Sequence, residues 1–302
     1  MIFDLFIMPE LPEVETLRIQ LSNLIVGLKI TDIQILHFKS FIGDKKLTLQ
    51  RKITGVRRFG KMLVIDFTGD HSLAVHLKMT GQLILRQNRQ LKYISRYTGV
   101  VTNLPNKHTR VIVSFTNGDR LFFNDIRKFG WMRIVRNETM KQLNNVTMKI
   151  VSLKEILSKL GPDPLRDLTL GKFREILKSS KRPVKIVLMN QEKIAGVGNI
   201  YANDALFLSK IHPQKPADKV SEIESKVIFH KLLKVLKDGL KWKGASKTNF
   251  VDVFGQKGSM QEHFYVYSRE GKICANKCGR KIKRMTLGGR GTFYCPKCQH
   301  LI

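Results

Sequence analysis

Acidic residues are scarce in this sequence. Among 302 residues, 24 are Asp or Glu and 54 are Lys or Arg, which gives a formal net charge of +30 and an isoelectric point near 10.2. A charge of this size opposes compaction and attracts polyanions. Hydrophobic residues still make up 42% of the chain, which argues against wholesale disorder. The basic excess runs along the full length of the chain, so it favours nucleic-acid binding over a basic surface that contacts only water.

Long hydrophobic runs are also lacking. No apolar stretch approaches the roughly 20 residues that a membrane-spanning helix requires. The opening residues MIFDLFI are apolar, but they lack a basic start and include Asp4, so they are not typical of a secretory signal. We therefore expect a cytoplasmic protein with no membrane partner.

Cysteine is absent until residue 274, and all four cysteines lie in the last 29 residues. Cytosolic thiols stay reduced, so this distribution favours a metal site over a disulfide framework. The spacing is Cys274-x3-Cys278, sixteen residues, then Cys295-x2-Cys298. Two such pairs can place four thiolates around one tetrahedral zinc ion. Residues 266–267 and 292–294 are predicted to supply the strands of a ribbon, and six basic residues crowd this module: Lys277, Arg280, Lys281, Lys283, Arg284 and Arg290.

Hydrophobic spacing divides the rest of the chain into two parts. A helix is predicted from Leu11 to a stop at Gly27, with Pro12 in its first turn. The short β-rich runs that follow predict a β-sandwich or barrel. They cover residues 28–36, 61–67, 73–79, 110–115, 120–124 and 132–136. After residue 150 the pattern becomes helical, with helices predicted over residues 153–160, 169–178, 183–190 and 199–209 and a longer one from the capping box Ser221/Glu224 to about Lys241.

Two short motifs could carry chemistry. Gly196-x-Gly198 before a predicted helix could let a phosphate approach the backbone, although such a pair is more often only a tight turn. It does not follow a strand, which argues against a dinucleotide fold. Pro9 begins PELPEVE, which by spacing alone is a well-capped helix start. In a protein that begins at Met8 and loses it, Pro9 would instead offer an α-amine with a pKa near ~8, a neutral nucleophile able to form an iminium with a sugar C1′.

Six segments carry a resemblance to a known family. PELPEVET, HLKMTG, NDIRKFG, GPDPL, GVGNIYANDALF and RGTFYCPKCQ occur in this order between residues 8 and 300, and together they resemble the bacterial formamidopyrimidine-DNA glycosylases. The resemblance implies an α+β fold with DNA in the cleft between its domains. The expected divisions are an extension over residues 1–8 that is absent from the active protein, a catalytic β-sandwich over 9–140, a linker over 141–160, a helix-two-turns-helix domain over 161–245, and a lesion loop with a zinc ribbon over 246–302.

The resemblance also implies roles for individual residues. Pro9 is similar to the family's nucleophile, and Glu10 to the acid that protonates the opening sugar. Lys61 resembles the lysine at the lesion phosphate, and Arg290 the arginine that grips the phosphate during δ-elimination. Met79, Arg127 and Phe129 resemble the trio that fills the gap left by an extruded base. His108, Arg127 and Lys181 match the family's DNA-binding positions, and Asn199 its backbone-holding asparagine.

These assignments predict a monomeric, nucleoid-associated repair enzyme that binds one structural zinc ion and duplex DNA containing oxidised bases. It would excise oxidised purines such as 8-oxoguanine and formamidopyrimidines and then cleave the abasic site by β,δ-elimination. Two alternatives stay open: an endonuclease VIII-like glycosylase for oxidised pyrimidines, against which Leu11 argues because that subfamily typically has glycine there, and an inactive DNA-binding protein if the extension is retained. The x3 cysteine spacing, residues 258–260 and Ser268 depart from the usual family pattern.

Overall fold

The computed structural model describes residues 8–88, 103–137, 150–247 and 249–301. Residues 1–7 of the predicted extension and much of the predicted linker lie outside this part of the chain. Helix α1 spans Leu11–Ile25, with Pro12 in its first turn. Its apolar side chains recur at helical spacing and are buried, so one face of α1 packs into the core of the N-terminal part.

Two sheets follow α1 in the described part of the chain. The five-stranded sheet has the order β2-β9-β5-β4-β3, and the four-stranded sheet the order β1-β7-β8-β6. Their inward-facing apolar side chains share one core with α1, which confirms the predicted β-sandwich with a leading helix. The strands are β1 (Ile30–Ile35), β2 (Phe41–Ile42), β3 (Ile53–Phe59), β4 (Met62–Phe67), β5 (His71–His76), β6 (Gly81–Arg86), β7 (Thr109–Phe115), β8 (Arg120–Asp125) and β9 (Trp131–Arg136).

The second part is helical. Helix α5 lies at its centre, and the fully buried Tyr201 and Phe207 of α5 pack in a core shared with the zinc ribbon. Gly239 of α6 contacts Tyr201 so closely that a Cβ there would overlap the phenol oxygen. The helices are α2 (Leu153–Leu157), α3 (Leu170–Lys178), α4 (Val184–Met189), α5 (Asn199–Leu208) and α6 (Glu222–Lys241). In the part of the chain that the structure describes, no helix combines the length and the apolar content needed to cross a bilayer.

The C-terminal ribbon consists of β10 (Lys283–Leu287) and β11 (Arg290–Tyr294), paired antiparallel. Gly288 and Gly289 join them with positive φ angles of 57° and 71°, which glycine adopts without strain. The strand predicted over residues 292–294 is confirmed. The one predicted over residues 266–267 is wrong, because the backbone N–H groups of Val266 and Tyr267 donate to the Asp204 carboxylate instead of to a neighbouring strand.

Candidate active site and DNA-binding edge

Glu10 lies at the seam between the β-sandwich and the helical part. Its side chain is 2% exposed, and Oε1 accepts a hydrogen bond of 2.8 Å from the backbone N–H of Ile200, in the first turn of α5. Its other oxygen, Oε2, is buried and has no hydrogen-bond partner among the described residues. The N-terminus of α5 thus holds a carboxylate of the protein itself, whereas the sequence pattern suggested a phosphate. The second carboxyl oxygen of Glu10, Oε2, is therefore available to carry a proton.

The segment Ala195–Gly198, called here the glycine loop, shapes this seam. A Cβ on Gly198 would overlap the Glu10 carboxyl carbon, and one on Gly196 would lie 2.7 Å from a Leu11 methyl carbon. Gly196 also has a φ of +88°, and its carbonyl accepts a 3.0 Å bond from the N–H of Leu11. Larger residues would push Glu10 and α1 away, so the glycines are required by close packing of the protein on itself.

Burial changes the acidity of Glu10. Desolvation raises the pKa of its carboxyl from 4.5 to about 7, against the opposing effects of the Lys61 charge and of the N–H groups of Ile200 and Tyr201. A carboxyl with a pKa near neutrality is protonated in a large fraction of molecules at cytosolic pH, and it can both give and take a proton.

Lys61 lies in the tight turn between β3 and β4 and is only 7% exposed. This turn packs on the glycine loop, since a Cβ on Gly60 would lie 3.2 Å from both the Ala195 Cβ and the Gly196 nitrogen. Burial lowers the pKa of Lys61, while the charge of Glu10 raises it. Spacing alone would make Lys61 a solvated charge on a strand, but the structure buries it near Glu10.

Pro9 is buried immediately before α1, next to Glu10. Glu13, in the first turn of α1, is fully buried. Its carboxylate accepts hydrogen bonds from the N–H of Glu10 (2.8 Å), the Tyr201 hydroxyl (2.7 Å) and the N–H of Ala245 (2.8 Å). Glu13 therefore fixes the backbone that presents Pro9 and Glu10. The i, i+3 spacing of Glu10 and Glu13 was the available signal, since such a pair at a helix start can form a capping box.

Arg290 is exposed at the start of β11, and buried polar side chains hold its turn. Lys185 of α4 is fully buried, and its Nζ donates to the Gly291 carbonyl (3.1 Å) and the Thr292 hydroxyl (2.6 Å). Asn199 donates to the same Gly291 carbonyl at 3.0 Å. The Arg290 charge acts on Lys61 by lowering its pKa, which places both cations around one site. Sequence reasoning missed Lys185, because a lysine in an otherwise apolar helix offers no signal of a partner 106 residues away.

The predicted gap-filling trio is assembled in the structure. Arg127 Nη1 lies 3.1 Å from the Met79 sulfur, and its guanidinium lies 4.9 Å from the centre of the Phe129 ring. Phe129 is 54% exposed, and exposure of a phenyl group to water is unfavourable unless a binding partner covers it. The Asp125 carboxylate accepts bonds from the N–H groups of Arg127 (3.1 Å) and Gly130 (2.7 Å) and so fixes this loop.

The two remaining predicted DNA contacts lie at separate places. His108 is partly buried just before β7, where burial and the neighbouring Lys107 and Arg110 charges lower the pKa of its ring. Its carbonyl accepts a 2.9 Å bond from the N–H of Asp125, so it borders the trio's loop. Lys181 is exposed in the connection between α3 and α4, on the helical side.

The four cysteines are free thiols whose sulfur atoms all lie within 4.8 Å of one another. The Cys274–Cys298 and Cys278–Cys295 sulfur pairs are 3.8 and 3.4 Å apart. Tetrahedral zinc with Zn–S bonds of about 2.3 Å needs sulfur pairs about 3.8 Å apart, so the set fits one structural zinc ion despite the x3 spacing. The N–H of Arg280 lowers the pKa of Cys278 to about 7, which favours the thiolate that zinc requires.

Comparison with family models covers most of the chain. The model of the formamidopyrimidine-DNA glycosylase N-terminal domain matches residues 8–132, and the model of that family's H2TH domain matches residues 160–251. A model described as a zinc finger found in FPG and IleRS matches residues 272–301.

Curated relatives and solved structures agree with these matches. A formamidopyrimidine-DNA glycosylase of Ligilactobacillus salivarius is 36% identical over 97% of this chain and 99% of its own length, and one of Rickettsia conorii is 35% identical over 97% and 100%. The MutM (Fpg) protein of Thermus thermophilus has a TM-score of 0.80 at 33% identity, covering 96% of this chain and 98% of its own. Lactococcus lactis Fpg in complex with DNA containing an abasic site has a TM-score of 0.79 at 30% identity, covering 97% and 100%. The chain described here belongs to the formamidopyrimidine-DNA glycosylase family.

Proposed function

We propose that this protein excises oxidised purines from duplex DNA and then cleaves the abasic site. The observation that carries the proposal is the Glu10 carboxyl, which is buried, has one oxygen without a partner among the described residues and has a pKa raised to about 7 beside Pro9. An acid of this strength, next to a proline at the start of a helix, suits the protonation of a deoxyribose ring that a secondary amine attacks.

In the proposed reaction, the nitrogen of Pro9 attacks C1′ of the damaged nucleotide and the base leaves. Glu10 protonates the ring oxygen as the sugar opens, which leaves an iminium between Pro9 and C1′. Proton transfers then release the phosphates on either side by β- and δ-elimination. This route needs an unblocked Pro9 nitrogen. The match to the family's N-terminal domain begins at residue 8, which supports an unblocked Pro9.

Lys61 and Arg290 are proposed to hold the phosphates of the damaged strand. Lys61 is buried in the turn before β4, where its charge acts on Glu10. Arg290 is exposed at the tip of the ribbon, and its charge acts on Lys61. We propose that Lys61 contacts the phosphate of the lesion and assists β-elimination, whereas Arg290 holds the phosphate that leaves during δ-elimination. A single chain supplies all these groups, so we also propose that it acts as a monomer, on DNA in the bacterial cytoplasm.

Borohydride trapping tests the proposal. Protein that begins at Pro9 is mixed with duplex DNA carrying 8-oxoguanine, borohydride is added during turnover, and the adduct is mapped by mass spectrometry. We expect base release, strand cleavage and an adduct on the Pro9 nitrogen. Protein with an uncleaved extension before Pro9 is the matched control and is expected to bind the duplex without forming the adduct. An adduct on another residue would overturn the proline mechanism, and release of oxidised pyrimidines only would overturn the substrate assignment.

A further inference from the structure

The turn that follows β1 exposes large apolar side chains. Residues 36–39, called here the Phe38 turn, include Leu36 at 55% and Phe38 at 75% exposure. The Phe38 ring stacks on the His37 ring with centroids 5.9 Å apart, and the Lys39 ammonium lies 5.7 Å from its centre. A phenyl group kept in water between an imidazole and a lysine is typical of an interaction surface.

Strand pairing places the Phe38 turn on the same edge of the sandwich as the predicted DNA contacts. The C-terminal end of β1 pairs with the start of β7 through Ile35 and Val111, and the N–H groups of Leu36 and His37 donate to the Arg110 carbonyl at 2.8 and 3.1 Å. The start of β7 follows His108. It pairs in turn with the end of β8, which leads into the loop of Arg127 and Phe129.

The Phe38 turn lies on the far side of that loop from Lys61. In the five-stranded sheet, Lys61 precedes β4, the trio's loop precedes β9, and the Phe38 turn precedes β2. The order β2-β9-β5-β4 therefore puts three strand spacings, about 15 Å, between the two outer turns, with Phe129 between them. If Lys61 is at the damaged strand and Arg127 reaches the base opposite, the Phe38 turn faces the opposite strand.

The positive charge on this edge of the sandwich favours a polyanion as its binding partner. Residues 33–43, 103–118 and 126–137 contain no Asp or Glu, and Lys39, Lys107 and Lys128 are exposed among them. Burial and the nearby Lys128 charge lower the pKa of His37, which places Lys128 beside the Phe38 turn. An apolar ring among exposed lysines matches the sugar and phosphate surface of DNA, whereas an apolar protein partner would not need the lysines.

We propose that the Phe38 turn is a further DNA contact, in which Phe38 packs on the sugars of the strand opposite the lesion and Lys39 neutralises one of its phosphates. The contact extends the duplex footprint beyond the gap-filling trio, on the side away from Glu10. This inference rests on the DNA-binding part of the proposed function, not on excision, because it uses the orientation of DNA that Lys61 and Arg127 imply.

Binding measurements with a non-cleavable abasic duplex test the inference. We expect Phe38→Ala to bind about fivefold more weakly, as when roughly half of a phenylalanine side chain is no longer buried, with an unchanged salt dependence. Lys39→Ala should lower the log–log salt slope by about 0.9, as for the loss of one phosphate contact. Val26→Ala and Lys29→Ala are the matched controls, since both residues lie at the opposite end of β1, about 20 Å away, and should leave binding unchanged.

Duplex length gives a second readout. The duplex is shortened one base pair at a time from either end. The affinity of wild type should drop abruptly at one length, and only when base pairs are removed from one of the two ends. Phe38→Ala should show no such drop. Equal affinities of Phe38→Ala and wild type for every duplex would overturn the inference and leave an apolar partner as the occupant. An equal defect on the shortest duplexes would also overturn it, because the contact would then lie at the lesion. Intact duplex binding without any excision by wild type would refute the proposed function and leave this inference standing.

Discussion

The carboxyl group of Glu10 is buried, yet in the proposed reaction it must give a proton to the sugar. Its pKa of about 7 lies above the ordinary value of 4.5 because burial penalises the charged form. For a carboxyl whose pKa is raised on folding, the contribution to stability is complete below the unfolded pKa and is lost as the pH rises through the folded pKa. The contribution of Glu10 to the free energy of unfolding should therefore be lost as the pH rises from about 5 to about 8. The same raised pKa provides a group that can donate a proton.

The first prediction follows from this linkage. Glu10→Gln should be more stable than wild type at pH 8, by at most about 3 kcal/mol, because the rise from 4.5 to about 7 disappears; at pH 5 the two proteins should differ little. Urea unfolding at both pH values measures the difference. Glu175→Gln, on a side chain that is 69% exposed, is the control and should show no pH-dependent gain. A difference between Glu10→Gln and wild type that is the same at both pH values would contradict the pKa assignment.

The second prediction separates Lys61 from Arg127. Both substitutions to Ala remove a cation and should reduce the salt dependence of DNA binding, by about one unit of log–log slope if each residue neutralises one phosphate. Arg127→Ala should also weaken discrimination of the base opposite the lesion, at about 1–3 kcal/mol for a good base contact. Lys61→Ala should slow excision whichever base lies opposite. Single-turnover excision with each of the four opposite bases measures both effects, and the reverse pattern would exchange the two roles.

At the scale of residues, the assignments of Glu10 and Lys61 came from the resemblance to the family. The structure buries both side chains at the seam, where their charges interact, and their roles in the reaction stay predictions. Spacing alone made Lys61 a solvated charge, because nothing local shows that its turn packs on the glycine loop. Lys185 was missed for the same reason, since its partners Gly291 and Thr292 belong to a strand far along the chain.

At the scale of elements, helices were predicted better than strands. The helix α6 is confirmed from its capping box to its end at Lys241, because Ser221 and Glu224 mark its start locally. Strand β3 was missed because its sequence, ITGVRRF, interrupts the apolar alternation with a glycine and two arginines. The second arginine, Arg58, is buried by partners in other elements, so no periodicity in β3 itself could reveal the strand.

The third prediction concerns the ribbon. Cys298→Ser should release zinc and abolish DNA binding, because β10 and β11 depend on the four sulfur atoms for their position and Arg290 depends on their turn. Elemental analysis and duplex binding measure the two effects. The β-sandwich has its own core and should unfold at an unchanged denaturant concentration. Active protein that contains no zinc would contradict the prediction.

At the scale of the whole molecule, Arg58 joins three parts of the chain. Its buried guanidinium pairs with Glu15 of α1 at 2.7 Å and with Asp163, in the GPDPL segment of the helical part, and it donates to the Gly60 carbonyl at 3.1 Å. These contacts fix the seam at which Lys61 and Glu10 meet. The neighbouring Arg57 also pairs with a carboxylate, Asp66, but its side chain is 44% exposed.

The fourth prediction compares these adjacent arginines. Arg58→Ala should cost about 3–5 kcal/mol of unfolding free energy, because it leaves the buried Asp163 carboxylate without its ion-pair partner and Glu15 with Arg18 alone. Arg57→Ala removes a similar pair at the surface and should cost less than about 1 kcal/mol. Denaturant unfolding measures both, and equal costs would show that the buried pairing does not stabilise the seam. Arg58→Ala should also reduce excision more than it reduces duplex binding, since it displaces Lys61 and Glu10 relative to each other.

Because Glu10 packs against Gly198, the pKa of this carboxyl in the N-terminal part depends on how closely the helical part packs on it. If the seam opens, water reaches the carboxyl, its pKa falls back toward 4.5, and at neutral pH the proton is lost. In the proposed reaction, an opened molecule would keep the Pro9 nucleophile but would lack the protonated carboxyl that opens the sugar. The close packing of Gly198 on Glu10 would thus confine the proposed sugar opening to molecules in which the two parts of the chain are docked.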